Sequence, residues 1–294
     1  MDLTMMTPPF NFPTETACFE TLFQAKWPNG FICSRCGHRH AYQIHTRRLP
    51  LYECHACRYQ NSLIAGTVME GSRTDIRKWL HAIFLISRTD SGINAKHLSK
   101  IIRVTYKTAW LMLQKLRHAM SQAIDSDLLS GIVRVNIAHY GRPHCPIIVP
   151  HPQRQPLFIA ATMKETGEPC RFKIKHLSEE YLNDGLVRRT GTQLFTEQHV
   201  DQTANVDIEY ITARFSPRRF HRLLAVAADA GRWINLTFHG IGPKHLQTYM
   251  DEYCYRLNLT LRDTPIFHNM LRLSATTAAV PYSVIIQKLA CSYY

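Results

Sequence analysis

The sequence lacks any long uninterrupted apolar run, and this absence narrows the kind of protein it can encode. Crossing a bilayer takes about 20 consecutive apolar residues, and no stretch of the 294 residues approaches that length. The first residues, MDLTMMTPPFNFPTET, also lack the basic start and the apolar stretch of a secretory signal. We therefore expect no membrane partner and a cytoplasmic location.

Acidic residues are scarce in one part of the chain. Residues 26–120 carry 16 Lys and Arg against 4 Asp and Glu, whereas the other residues carry 19 against 18. Nearly all of the net charge of +13 therefore lies in this segment. Such a segment attracts polyanions, and double-stranded DNA is the leading partner because neutralised phosphates release condensed counterions. The alternatives are a solvated basic surface without a partner and, less favoured, an anionic membrane surface.

The cysteine pattern argues against a disulfide scaffold. Nine is an odd number, and four of the cysteines form two Cys-x2-Cys pairs, Cys33 with Cys36 and Cys54 with Cys57. In a reducing compartment such pairs favour metal thiolates over disulfides. Two pairs separated by 17 residues supply the four ligands of a closed tetrahedral site. We predict one structural Zn²⁺ that contributes much of the folding energy of this small unit.

Other interpretations of these cysteines stay open. Four histidines lie close by, and one of them could replace a cysteine as ligand, although four thiolates already complete the shell: His38, His40, His45 and His55. The cysteines could also be buried without a metal. Redox activity is less favoured, because redox Cys-x2-Cys sites usually come singly.

After residues 66–68 the hydrophobic spacing becomes helical. Thr74 is a predicted N-cap, and one apolar face follows it: Ile76, Trp79, Leu80, Ile83 and Phe84. A second helix is predicted over residues 95–101, and a third from Thr105 after a break near Arg103. A short helix, a tight turn and a longer basic helix describe a helix-turn-helix. Many helical hairpins share this pattern, so the charge asymmetry is what favours DNA binding.

The third predicted helix carries the candidate DNA contacts. Lys107 and Thr108 lie near its N-terminus and are predicted to contact base edges. Arg103, just before this helix, and Lys115 and Arg117 on it are predicted to hold phosphates, which gives affinity without sequence choice. Lys107, Lys115 and Arg117 are predicted to stay outside the core.

Several motifs together resemble the zinc-ribbon insertion-sequence transposases of bacteria. The resemblance is specific at its two ends, over residues 20–272, and weak in the middle. Its motifs are WPNGFIC (27–33), GTV (66–68), KWL (78–80), KTAW (107–110), FHGIGPKHL (238–246), YMDEY (249–253) and RLN (256–258).

The resemblance implies an α+β multidomain protein in which an RNase H-like domain of the DDE type follows the ribbon and the helix-turn-helix. The predicted order is an N-terminal segment (1–25), the zinc ribbon (26–66), the helix-turn-helix segment (67–128) and the RNase H-like domain (129–294). The residues themselves fit strands over 132–140, 157–163 and 170–175, a helix over 178–190 and a further strand over 193–196. This order suits a mixed sheet with helices on its faces.

A DDE nuclease holds two Mg²⁺ ions with clustered carboxylates. By resemblance, the first aspartate would end a strand patterned Val-x-Val-Asp-Glu, but here Val135 is followed by Asn136. The second position corresponds to Glu197 after Thr196, and Asp229 is the acid available for the third. Loss of the bridging carboxylate removes a full negative charge from the site. We therefore predict impaired or absent nuclease activity, with Mg²⁺ bound only if the site survives.

The leading hypothesis is a transposase-family DNA-binding protein with a degenerate nuclease domain. One alternative is an active transposase that uses Glu197 with other ligands, and another is a structural or protein-interaction module. A metal site built from His139, His144 and His151 is a minor alternative to ordinary loop histidines. The resemblance also suggests self-association as a homodimer on paired DNA ends, although no heptad or exposed apolar stripe demonstrates it.

Overall fold

A computed structural model describes residues 14–45, 49–88, 92–141, 154–183, 186–203, 205–213, 216 and 219–287. The chain forms two compact units, one of Met1–Ala119 with Pro265–Ile285 and one of Met120–Thr264 with Ile286–Tyr294. The first unit therefore takes in 21 residues from the far end of the chain, which we had placed in the domain 129–294. None of the helices in the described ranges is long and apolar enough to cross a membrane.

The first unit begins with a helix packed on a small sheet. Helix α1 (Glu15–Lys26) is capped by the Thr14 side chain, and strands β1 (Ala41–Ile44), β2 (Leu51–Cys54) and β3 (Gln60–Ser62) form an antiparallel sheet in that order. Aromatic rings join helix and sheet at centroid distances of 5.1–6.0 Å: Phe23, Trp27, Phe31 and Tyr52. This ring cluster is a large part of the core available to so small a sheet.

Helices complete the first unit. They are α2 (Ile76–Ile86), α3 (Ala95–Ile102), the first part of α4 (Tyr106–Ser126), α8 (Ile266–Thr276) and α9 (Tyr282–Gln287). The N-cap of α2 is Asp75, whose side chain accepts from the Arg77 amide, and not Thr74 as we predicted. Helix α8 packs on α1 and α2, and its Ser274 carbonyl accepts from the Val68 amide at 3.0 Å. The two ends of the chain thus share one core.

The second unit is built on a four-stranded mixed sheet in the order β6-β5-β4-β9. Strand β5 (Gln155–Met163) is antiparallel to both β4 (Ile132–Tyr140) and β6 (Pro169–His176), and β9 (Asp207–Ile211) runs parallel to β4. A short 3₁₀ helix (Glu179–Tyr181), the hairpin β7 (Leu182–Asn183) with β8 (Leu186–Val187) and helix α5 (Arg189–His199) separate β6 from β9. Helices α6 (His221–Phe238) and α7 (Pro243–Leu261) follow.

The order of strand, strand, strand, helix, strand is present, but its last two members lie further along the chain than predicted. The predicted helix over 178–190 is the 3₁₀ turn and the small hairpin, and the predicted strand over 193–196 is part of α5. Phe195 explains why residues 193–196 were mistaken for a strand. It lies on helix α5 and is buried against the sheet, with its ring centre 5.2 Å from that of Phe158. The fourth strand is β9, which we did not predict.

Helix α7 covers the free edge of β6 with two amide side chains. Asn258 accepts from the Phe172 amide at 2.8 Å and donates to the Phe172 carbonyl at 2.9 Å. Gln247 accepts from the His176 amide at 2.6 Å and donates to the Ile174 carbonyl at 3.0 Å. Backbone groups on this edge are therefore paired by side chains where another strand would otherwise pair them.

Candidate metal centre and nucleic-acid interface

The structure brings the four paired cysteines together. The sulfur atoms of Cys33, Cys36, Cys54 and Cys57 all lie within 4.8 Å of one another. Among the described residues this is also the one group of three or more His, Cys, Asp or Glu side chains that could share a metal ion. Four thiolates at this spacing fit tetrahedral Zn²⁺. Neither His38 nor His55 belongs to the group, so the alternative of a histidine ligand finds no support.

Each cysteine pair sits in the same kind of turn. The Gly37 amide donates to the Cys33 carbonyl at 2.9 Å, and the Arg58 amide donates to the Cys54 carbonyl at 3.0 Å. Both turns need a left-handed residue directly after the second cysteine, with φ of 73° at Gly37 and 56° at Arg58. Glycine adopts this conformation without strain, whereas arginine does so at some cost.

Hydrogen bonds prepare the Cys33 sulfur for a metal. Burial alone would raise the pKa of this thiol, but the backbone amides of Arg35 and Cys36 and the side chain of Asn61 counteract burial and hold the pKa at about 6. The thiolate is the form that binds zinc, so one ligand is poised to lose its proton near neutral pH.

Two polar residues that we did not single out from the sequence support this centre. Asn61 is buried, with its amide nitrogen 3.7 Å from the Cys33 sulfur, and its oxygen accepts from the Ser34 amide and hydroxyl at 3.1 and 2.7 Å. The Lys26 ammonium donates to the carbonyls of Ser62, Leu63 and Ala65, and burial lowers its pKa to about 8. A lone Asn or Lys carries no spacing signal, so only the structure reveals these contacts.

The segment predicted as a helix-turn-helix forms two helices joined by a tight turn. The Asn94 side chain caps α3 by accepting from the His97 amide at 2.9 Å. Arg103 ends α3 in the left-handed conformation, with φ of 52°. Thr105 then caps α4, since its hydroxyl accepts from the Thr108 amide at 3.2 Å. These caps fix where one helix stops and the next begins.

Three of the five predicted DNA contacts lie at this turn. Arg103 and Lys107 are exposed, and Thr108 is half-buried with its hydroxyl 2.9 Å from that of Thr105. The Lys107 ammonium also lies 5.5 Å from the centre of the Tyr282 ring in α9. Tyr106 is exposed beside them, so the N-terminal end of α4 presents both cationic and aromatic groups.

The other two predicted contacts are placed differently. Lys115 is half-buried, and its ammonium donates to the Glu70 carbonyl at 3.2 Å. Arg117 is buried, with 1% of its surface exposed, which contradicts our prediction that it stays outside. The reason is that Arg117 follows Leu113 by four positions, so it lies on the same helix face as Leu113, Leu116 and Met120, which are also buried. An arginine in such a place cannot reach a phosphate.

In the second unit, Asn136 is an interior residue. It lies on β4 with no exposed surface, and its side-chain amide is within hydrogen-bonding distance of the Phe220 backbone. The guanidinium of Arg219 donates to the neighbouring Ile137 carbonyl at 2.9 Å. A neutral amide is suited to this buried position, whereas a carboxylate would pay a large desolvation penalty there.

Glu197 does not lie where we predicted. It is exposed on α5 and does not follow a strand. The strand beside β4 is β9, whose last residue Ile211 pairs with Asn136. Thr212 and Ala213 come next, and residues 210–228 contain no Asp or Glu. The position next to Asn136 at the end of the parallel strand therefore carries no carboxylate.

Asp229 does not complete a site either. It lies on α6, nine residues beyond Phe220, which is about 13 Å along a helix axis. Its carboxylate is half-exposed and pairs with Arg232 on the same helix. The three predicted catalytic residues thus lie in three separate surroundings. Of the loop histidines, His144 and His151 lie outside the described residues, and His139 is on β4.

Charged groups in this unit are instead paired in the interior. The Lys175 ammonium lies 2.8 Å from an Asp251 oxygen and 2.7 Å from an Asp125 oxygen. Lys173 is 1% exposed and donates to the Asp125 carbonyl at 3.4 Å, and burial lowers its pKa to about 8. Burial also raises the pKa of Asp251, against the pull of Lys175. Lys175 is thus held between the buried Asp251 and the more exposed Asp125, which is the arrangement of a structural ion pair.

Comparison with known proteins shows similarity in the part of the chain that contains the metal centre. Residues 13–60 match the transposase zinc-ribbon domain, a range that includes all four cysteines. A protein of Halobacterium salinarum described as an uncharacterized protein in transposable element ISH50 is 29% identical over 116 residues, which is 39% of this chain and 39% of that protein. The alignment thus spans well under half of that relative. No solved structure shows significant similarity to the chain. The similarities support a transposase-related protein with a zinc ribbon.

Proposed function

We propose that the chain is a transposase-derived DNA-binding protein whose first unit binds double-stranded DNA and whose second unit is an RNase H-like domain without a working nuclease site. The single observation that carries this proposal is the match of residues 13–60 to a transposase zinc-ribbon domain. This match overlaps the segment 26–120, which holds nearly all of the net positive charge. Structural Zn²⁺ held by the four cysteines stabilises the binding unit.

Helices α3 and α4 are proposed to act as the helix-turn-helix. The turn between them exposes Arg103 and Lys107, and α4 begins with the exposed Tyr106. In this motif the N-terminal residues of the second helix contact base edges in the major groove. Lys96 and Lys100 on α3 are also exposed, so they are candidates for further phosphate contacts.

The sheet of the second unit supports the RNase H-like part of the proposal. Three antiparallel strands are followed by a helix and by a fourth strand that runs parallel to the first. In sheets of this kind a site forms where neighbouring parallel strands end. Here that place is occupied by Asn136 and by the residues after Ile211.

Magnesium does not fit the residues at that place. Mg²⁺ prefers oxygen ligands that include carboxylates, but Asn136 is a buried amide and the nearest acid after Ile211 is Asp229. We therefore derive no metal-dependent step for the second unit. Impaired or absent strand cleavage is part of the proposal.

The proposal is tested by duplex binding at several salt concentrations. The zinc-loaded chain should bind labelled duplexes in fluorescence anisotropy, with an affinity that falls steeply as salt rises. Arg103→Asn and Lys107→Gln should each weaken binding and reduce the slope of log affinity against log salt by about 0.9. Lys244→Gln, an exposed lysine of the second unit, is the matched control. Absence of duplex binding at low salt, or equal slopes for all four proteins, would contradict the proposal.

Self-association on DNA and a nucleoid location are further parts of the same proposal. Sedimentation velocity with and without a duplex tests the first. A dimer is expected in the presence of two duplex ends, and a monomer under both conditions would remove this part.

A further inference from the structure

One face of the zinc-ribbon sheet is buried and the other is exposed. Tyr52 on β2 is buried against the rings of α1. On the opposite face, Tyr42 of β1 is paired across the sheet with Glu53 of β2, and Glu53 with Gln60 of β3. Directly paired residues project from the same face of a sheet. The face that carries Tyr42 is therefore the outer face.

Several flat side chains gather around Tyr42. Its ring centre is 5.2 Å from that of His55, and the His55 ring stacks with that of His38 at 6.2 Å. The Arg58 guanidinium lies over the Tyr42 ring at 5.9 Å. We call these four residues the ring platform: His38, Tyr42, His55 and Arg58. Two of them, His38 and His55, lie in the two cysteine turns, so the metal centre also fixes the platform.

The ring platform is exposed and lies in a cationic segment. Tyr42 is 52% exposed and the Arg58 side chain 67%. Residues 27–66 contain five arginines, no lysine and one acid. That acid is Glu53, which lies 3.4 Å from Arg58, so it holds the guanidinium beside the tyrosine. Arginine is the cation best suited to stack on flat groups and to pair with phosphates.

We propose that the ring platform binds single-stranded DNA by stacking an unpaired base on Tyr42 while arginines contact the adjoining phosphates. This inference rests on the proposed DNA-binding function and adds a second contact of a different kind. Exposed aromatic rings beside cations are the general means of binding single strands. In the interior of a duplex both faces of each base are covered by neighbouring bases, whereas an unpaired base offers its faces to the ring.

The proposal assigns different parts of a DNA substrate to different surfaces of the first unit. The turn between α3 and α4 would bind the duplex, and the ring platform would bind an unpaired segment. A ligand with both parts should therefore bind more tightly than a blunt duplex of the same sequence. Stacking of one base should therefore raise the affinity for the tailed ligand about tenfold, which is near the lower end of the range for stacking on an aromatic side chain.

The experiment compares two labelled duplexes that are identical except for a five-nucleotide single-stranded tail. Anisotropy titrations of the zinc-loaded chain give the ratio of the two affinities. We expect a ratio of about ten for the wild type and for Tyr42→Phe, and a ratio near one for Tyr42→Ala, with unchanged affinity for the blunt duplex. Tyr59→Ala is the matched control, since Tyr59 is a 43% exposed tyrosine of the same ribbon. Zinc content is measured for every variant.

A second measurement does not depend on a truncated side chain. A tail that contains 5-iodouracil should crosslink to Tyr42 under ultraviolet light, and peptide mass spectrometry identifies the residue. A wild-type ratio near one, an unchanged ratio in Tyr42→Ala, or crosslinks confined to other residues would overturn the inference. Failure of the proposed function is a separate outcome, in which the blunt duplex does not bind at all; the free single strand then tests Tyr42 alone.

Discussion

The two units differ in whether their positively charged side chains are exposed or buried. In the first unit, Arg58, Arg103 and Lys107 are exposed, and few acids lie nearby in the sequence. In the second unit, Lys173 and Lys175 are buried, and Lys175 lies between two aspartates. An exposed cation can bind a phosphate, whereas a cation buried in an ion pair is held by its carboxylate partner and cannot reach DNA. The same residue types therefore point to DNA binding in one unit and to internal structure in the other.

The largest expected effect concerns the metal centre of the first unit. Cys54→Ser removes one thiolate ligand, so we expect loss of the zinc and unfolding of the ribbon, because metal binding supplies much of the stability of such small units. Released zinc is measured with a chromogenic chelator, and Trp27 fluorescence reports the ribbon.

Cys170→Ser is the matched control for that experiment. Cys170 is a half-buried cysteine of the second unit, and its thiol donates to the Thr162 carbonyl. This variant should keep one zinc per chain. A full zinc content in Cys54→Ser would remove the proposed metal centre.

The next effect tests whether the first unit includes both ends of the chain. Met270 on α8 is fully buried, whereas Arg272 two residues later is exposed. Met270→Asp places a carboxylate in the shared core and should destabilise the first unit by more than about 4 kcal/mol, while Arg272→Asp should have little effect. Three of the four tryptophans lie in this unit, so denaturation followed by fluorescence in a Trp233→Phe background measures the change. Equal denaturation midpoints for the two variants would show that α8 does not pack in the core of the first unit.

A smaller effect is expected at the covered edge of the second unit. Asn258→Ala leaves the amide and the carbonyl of Phe172 without these partners in a buried place, which should lower the free energy of unfolding by about 2–3 kcal/mol. Thr260→Ala on the same helix is the control, because Thr260 is exposed and its hydroxyl only donates to the Arg256 carbonyl. Urea denaturation of the wild type, the variant and the control measures the change. A loss below the control would show that the amide pairing does not stabilise the edge.

The smallest effect depends on pH. Burial, assisted by Lys175 and Lys173, lowers the pKa of His199 from 6.5 to about 3. The unfolded chain binds a proton there below about pH 6.5 and the folded chain does not, so this histidine makes stability fall as pH drops toward 3. Between pH 7 and pH 5 the loss should be about 2 kcal/mol.

His199→Gln isolates this contribution from other titrating groups. Urea denaturation at the two pH values gives the loss for the wild type and for the variant, and the variant should lose less. Identical losses would mean that His199 is not held neutral in the folded unit.

The comparison also shows which features a sequence can reveal. The cysteine turns are local, so their spacing predicted the group of four sulfurs that the structure forms. The site expected in the second unit depends on which distant strands become neighbours. Residues 193–196 have strand-like composition but form a helix because Phe195 packs on Phe158. Glu197 therefore lies on that helix and not at the end of a strand, where we predicted it.

The second limit of the sequence analysis was in predicting which residues of a helix are buried. We predicted that Arg117 is exposed because it is charged, but it follows Leu113 by four positions and therefore lies on the buried face of α4. Conversely, the RLN motif carried no assigned contact until Asn258 was found against the edge of β6. Both outcomes depend on packing partners that lie far away in the sequence.

One measurement tests the contrast between the two units most directly. An end-labelled duplex is incubated with the zinc-loaded whole chain in Mg²⁺ and, separately, in Mn²⁺, and the bound and the cut fractions are quantified in the same samples. The proposal predicts DNA that is bound in a salt-sensitive manner and recovered intact. Strand cleavage by the wild type that Glu197→Gln abolishes would contradict it, and so would DNA that is never bound.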